Sequence, residues 1–153
     1  MAEIKNIITY TECENEQSLP AFWKELLDRA RAELGHAYAP YSGFKVAAAL
    51  KLANGMVLAG TNQENAAFPS GLCAERTLLF HALSSFPNVP IEGLAIVVSR
   101  EGTLAAPCGA CRQVMADIEV NRQGGFPVMF PGDGNTWLIF QKPSDLLPLV
   151  FTL

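Results

Sequence analysis

Apolar and polar positions recur along this chain at two periods, near 3.6 and near 2, and the switches between them outline its elements. Phe22, Leu26, Leu27, Ala30 and Leu34 fall at helical spacing. With Ser18 as N-cap, Pro20 in the first turn and Gly35 as a stop, they predict a first helix over about 19–35. FKVAAALKLANG ends on Asn-Gly, a hairpin signal, and MVLAGTNQEN follows. Antiparallel strands over about 44–52 and 56–62 are predicted. A second helix runs from about Cys73 to Ser84, where FPNVP breaks it, and IEGLAIVVS supplies a buried strand. APCGACRQVMADIE enters through a proline turn and runs as a third helix to about Glu119. FPVMF and TWLIF, on either side of PGDGN, are two more strands, and SDLLPLVF ends in a short turn capped by Ser144 or Asp145.

Ahead of these elements, Ile7 to Tyr10 favour a short strand and TECENEQ a solvated acidic turn, so residues 1–17 form an extension without a usable motif. The order helix, hairpin, helix, strand, helix, strand, strand predicts a single α/β domain over 1–153. Its expected architecture is a three-layer α/β/α sandwich around a mixed five-stranded sheet.

Composition narrows the function. A chain of 153 residues can bury a core without disulfides. Half of it is hydrophobic and 17% is charged, which points to apolar surface covered by another subunit. The net charge of -4 offers no positive field for a phosphate backbone, so a nucleic-acid polymer is a poor partner and a small uncharged substrate a good one. The start carries no secretory pattern, and no apolar run nears the roughly 18–20 residues that span a bilayer. No membrane association and a cytoplasmic location are therefore expected. Four cysteines in such a chain read as metal or catalysis before disulfides.

Two cysteine segments carry that chemistry: Cys73-Ala74-Glu75 and Pro107-Cys108-Gly109-Ala110-Cys111, each at a predicted helix start. Unpaired amides and the helix dipole favour thiolates there. Cys108 and Cys111, three apart, point the same way on a first turn. Three thiolates on one Zn²⁺ leave a fourth tetrahedral position for water, the pattern of a catalytic centre. A structural zinc would need one more ligand, and Cys13, His36 and His81 lack the spacing. Unmetallated core cysteines or a redox pair would explain Cys-x-x-Cys alone, but not the second cysteine segment. Glu75 stands two residues beyond a ligand, where a carboxylate can move protons between water and substrate; otherwise it is an acidic residue favoured in a first helical turn.

C-A-E with P-C-x-x-C resembles the signature of the cytidine and deoxycytidylate deaminase superfamily. YAPYSGFKVAAAL at 38–50, TNQENAAFPSGLCAERTLLF at 61–80 and PCGACRQVM at 107–115 are similar to its free-nucleoside branch, and the likeness runs from about 19 to 151. A cysteine at 73 resembles the three-cysteine, small-subunit, homotetrameric type. The resemblance implies one Zn²⁺ per subunit on Cys73, Cys108 and Cys111, with Glu75 catalytic. It implies that Asn62 and Glu64 bind ribose hydroxyls, that Phe44 stacks near the base, and that the Ala74 backbone reads the pyrimidine edge. It further implies that Arg76 offsets thiolate charge and that Phe151 reaches a neighbouring subunit's pocket. The implied reaction is hydrolytic deamination of cytidine and deoxycytidine in pyrimidine salvage. Read as residues alone, Phe44 is equally a core aromatic, Asn62 and Glu64 loop punctuation, and Arg76 a surface cation. Ala47 stands where the family commonly has Gly, and FPSGL differs from its more polar loops. A blasticidin-type deaminase, a polynucleotide editor and a non-catalytic zinc module are the rival readings.

Overall fold

The structure, a computed structural model, describes residues 1–100 and 102–152. The elements are β1 (Thr11–Cys13), α1 (Ala21–Glu33), β2 (Val46–Leu52), β3 (Val57–Thr61), α2 (Ala74–Ser85), β4 (Ile91–Val98), α3 (Gly109–Ile118), β5 (Val128–Pro131) and β6 (Trp137–Phe140). They form one sheet in the order β1-β6-β5-β4-β2-β3, in which only β4 and β5 run parallel among the named pairs.

Alternation along β2 sorts the layers. Ala47 and Ala49 face α1, where Trp23, Leu26, Leu27 and Ala30 pack with Ala95, Val97 and Met129. Ala48 and Leu50 face the other way, into a larger core with Leu94, Ile96, Val128 and Phe130 beneath α2 and α3. Helices thus cover both faces, as the predicted sandwich requires. The four residues Ala47 to Leu50 are all fully buried, and the small alanines let helices approach on each side. Ala47 is fully buried in the cluster on the α1 side. On the α2 side a close approach falls at Gly60 on β3, where an added Cβ would stand 3.1 Å from both Cβ and N of Leu78 on α2. That contact fixes how near α2, the helix behind Cys73, lies to the sheet.

The sheet has six strands where five were predicted, because the extension contributes one. The strand forms at Thr11–Cys13, directly after the run Ile7–Tyr10 that favoured it and within the segment expected as an acidic turn, and pairs antiparallel with β6 through Thr11↔Ile139 and Cys13↔Trp137. An open edge strand offers unpaired amides and carbonyls, and that tertiary demand outweighs local propensity. Tyr10 anchors the entry by stacking on Phe140, with ring centroids 5.0 Å apart. Ile4 and Ile7 remain exposed.

Helix starts also differ in detail. Ser18 does not cap α1; its N–H and hydroxyl bond Asn15 and close a short 3₁₀ turn, and Pro20 occupies the cap position. Leu34–His36 form a 3₁₀ turn after α1, and α3 runs on through a π turn, Glu119–Gln123, to Gly124 at φ 89°. No helix among the described residues is long and apolar enough to cross a membrane.

Candidate active site

Both α2 and α3 begin at a cysteine. Cys73 (φ -68°, ψ 156°) and Cys108 (φ -66°, ψ 163°) occupy the N-cap positions, neither with a side-chain cap. The two helices rise from the same face of the sheet with their N-termini together, so the sulfurs meet. Cys73 Sγ is 3.7 Å from Cys108 Sγ, and Cys108 Sγ is 3.4 Å from Cys111 Sγ. All three lie within 4.8 Å of one another, and no other group of three His, Cys, Asp or Glu side chains converges this way among the described residues.

Zn–S bonds of about 2.3 Å at tetrahedral angles put sulfurs about 3.8 Å apart, so this donor set fits zinc. Cys13 is half-buried on β1 at the far edge of the sheet; His36 bonds Glu33 and His81 lies beside Ser85. None of them joins the sulfurs.

The electrostatics suit the same ion. The Cys73 thiol is lowered to about 5, first by a hydrogen bond from Cys111 and then by those from Arg76 and Cys108, against the opposing cost of burial. Cys111, which is fully buried, is pushed up by that same bond to Cys73 and by its desolvation. Arg76 turns Nη2 to 3.6 Å from Cys73 Sγ, while its Nε is buried without a hydrogen-bond partner among the described residues. A guanidinium oriented in this way matches an anionic cluster.

Glu75 is 4% exposed on the first turn of α2. Burial raises its carboxyl above the ordinary carboxylate range, and the Cys73 charge raises it further. A buried carboxyl that keeps a proton readily and stands next to a ligand has the profile of an acid–base group. Ala74, between them, is fully buried.

A cleft of about 500 Å³ opens beside the sulfurs and brings Ser42, Asn62, Glu64, Phe68, Cys73 and Arg76 to one wall. Glu64 Oε2 accepts from the N–H groups of Tyr41 (2.9 Å) and Ser42 (3.2 Å), and Oε1 accepts from the Ser42 hydroxyl. Those bonds, the Ser42 hydroxyl first, hold the carboxyl below its usual range. Asn62 is buried and bridges the start of β2: Nδ2 donates to the Phe44 carbonyl and Oδ1 accepts from Val46 N–H, both at 2.9 Å. Phe44 N–H donates to Ser42 Oγ at 3.0 Å, and the Arg100 guanidinium stands 5.5 Å from the centre of its half-buried ring.

Ser42 thus ties Glu64 to Phe44, a role the sequence hides behind the turn-forming residues of PYSG. Phe151 stands apart from the cleft within this chain. It is 68% exposed on the outer side of α3, its backbone N–H and carbonyl bonded to the Gln113 amide at 3.2 and 2.9 Å.

Residues 22–123 match the family model for the cytidine and deoxycytidylate deaminase zinc-binding region. A cytidine deaminase of Sporosarcina psychrophila is 42% identical over 95 residues, 62% of this chain and 68% of that protein. The Mycobacterium tuberculosis cytidine deaminase is 38% identical over 131 residues, 86% of this chain and 90% of its own. The crystal structure of the Burkholderia pseudomallei cytidine deaminase superimposes with a TM-score of 0.70 at 41% identity, covering 84% of this chain and 98% of that one. The chain belongs to the cytidine and deoxycytidylate deaminase family.

Proposed function

From that membership we propose that the protein is a cytidine deaminase, hydrolysing cytidine and deoxycytidine to uridine and deoxyuridine with release of ammonia. The observation that carries this reading is the convergence of three thiols beside a buried glutamate, with one of the thiols, Cys73, lining a cleft that Asn62 and Glu64 also line.

Cys73, Cys108 and Cys111 would hold one Zn²⁺. When bound, zinc supplies the Lewis acidity that makes water nucleophilic at neutral pH. The protein's own groups manage protons and position. Glu75 takes a proton from the attacking water and delivers it to pyrimidine N3 as oxygen bonds to C4. It then moves the remaining hydroxyl proton to the amine, which departs as ammonia while C4 becomes a carbonyl and N3 keeps its hydrogen. Burial suits Glu75 to hold that proton between steps. Arg76 offsets thiolate charge, and the Ala74 backbone, in the first turn, is the candidate for reading the base edge.

On the sugar side, Asn62 and Glu64 take the ribose hydroxyls, with Phe44 near the base. A carboxylate on this wall disfavours a phosphate at the same place, and the nearest cation, Arg76, is turned to sulfur. Free nucleosides are accordingly the substrates. The net charge of -4 opposes a polynucleotide.

A single domain over 1–153, a cytoplasmic setting in pyrimidine salvage and a homotetramer complete the proposal. Exposed Phe80, Val120, Leu149 and Phe151 support the oligomer, with Phe151 entering a neighbour's cleft. Light scattering showing a stable, active monomer would remove that part.

The test of the activity is turnover by purified, zinc-loaded protein of cytidine, deoxycytidine, their monophosphates, cytosine and blasticidin S. Both nucleosides are expected to react and the phosphates to lag. Inactivity on both nucleosides with turnover of another compound overturns the assignment.

A further inference from the structure

Of the three cysteines, Cys108 has the least shelter: it is exposed, whereas Cys111 is buried and Cys73 half-buried. It also stands at the end of an irregular segment, between buried Pro107 and the first residue of α3. A sulfur carried at such a junction is only as fixed as the two peptide groups that flank it.

Both are fixed by one residue. The Arg112 backbone N–H donates to the Cys108 carbonyl at 3.0 Å, and its side-chain Nε donates to the Pro107 carbonyl at 2.7 Å. The carbonyls before and after the Cys108 α-carbon are therefore pinned from the same place. Nη1 of the same guanidinium donates to the Leu146 carbonyl at 3.1 Å. The clamp is braced against the C-terminal 3₁₀ turn, Pro143–Leu146, which Glu119 also grips through the Ser144 N–H (2.7 Å) and hydroxyl (2.9 Å).

We propose that Arg112 is a positioning residue for the metal centre, clamping the Pro107 and Cys108 carbonyls so that the Cys108 sulfur is held ready for zinc. The clamp rests on the zinc-deaminase reading above. It makes no contact with substrate. Groups that orient metal ligands from outside commonly govern affinity by about 10- to 100-fold.

The experiment measures the rate of zinc release from the full, zinc-loaded chain to a chromogenic chelator, together with the thiolate-to-metal charge-transfer band of the cobalt-substituted protein. Arg112→Ala is expected to release zinc about 10- to 100-fold faster, with a weakened cobalt–thiolate band. Arg112→Lys keeps one donor for Pro107 but cannot span to Leu146 as well, so it should fall between the alanine variant and wild type. Glu119→Gln loosens the hold on Ser144 without touching Pro107, and should release zinc at the wild-type rate.

Wild-type release and an unchanged cobalt spectrum in Arg112→Ala overturn the proposal. So does equal acceleration by Glu119→Gln, which would mean a general loosening of the C-terminal turn. If the alanine variant does not fold, Arg112→Lys carries the test, and release at the wild-type rate overturns the clamp. A wild-type chain that takes up no zinc would instead fail the zinc-deaminase reading itself, and the clamp with it.

Discussion

The starts of α2 and α3 are built on one plan and filled with different chemistry. Each has a cysteine at the N-cap, and in each the residue four further on returns its N–H to the cysteine carbonyl at 3.0 Å: Thr77 to Cys73, Arg112 to Cys108. Between those points the two diverge. Where α2 has Glu75, α3 has Ala110; where α2 has Arg76, α3 has Cys111. The fourth residue differs too, since Thr77 adds its hydroxyl to the Cys73 carbonyl at 3.1 Å while Arg112 reaches back to Pro107. One helix start thus supplies a single sulfur with both charged groups, and the other supplies two sulfurs and no proton carrier. On the proposed reading, both turns hold the metal and only the α2 turn handles protons.

Substitution should expose that division. The largest effect is expected from Cys111→Ser, which removes a buried sulfur of the α3 pair; elemental analysis of the purified variant should find zinc at background, with turnover gone. Glu75→Gln breaks the α2 side alone. Its zinc content should match wild type while kcat falls about 10²- to 10⁴-fold, the usual contribution of an acid–base group. Loss of zinc together with activity would show that Glu75 supports the metal, and the division would fail.

Arg76→Ala leaves both sulfur pairs and the proton carrier in position but strips the charge offset. A drop in kcat/KM of about 10- to 100-fold, with zinc released faster to a chelator, is the expected outcome. Smallest is Thr77→Val, which deletes one hydroxyl bond to a carbonyl still held by a backbone N–H. It should cost about 0.5–1.5 kcal/mol, read as a Tm lowered by about 1–6 °C, with kcat unchanged. A larger effect on kcat than that of Arg76→Ala would reverse the ranking of the two α2 residues.

The sequence made these turns legible because their chemistry is local. Cys-Ala-Glu and Cys-x-x-Cys each fit within one helical turn, so residue type and spacing gave both the ligands and the carboxylate. The layers were legible from element order, since strands alternating with helices imply one sheet covered by helices on its faces. What stayed hidden depends on distant partners. Ser42 meets Glu64 across 22 positions and Arg112 meets Leu146 across 34, and nothing local marks a serine or arginine for such a bond. β1 is the same case at the scale of a strand, since its register comes from the free edge of β6. Thr77 could have been found, because a threonine four residues into a helix often bonds the carbonyl behind it.

The contact between Gly60 and Leu78 has a bearing on how this chain can change by mutation. Position 60 touches neither sulfur nor cleft, yet any side chain there must push against the backbone of α2. Because α2 begins at Cys73 and carries Glu75 and Arg76 in its first turn, the displacement would be inherited by those side chains as a shift in aim. A neutral-looking exchange of glycine for alanine there asks α2 to give by a few tenths of an ångström, and its effect reaches the site through the helix rather than by contact.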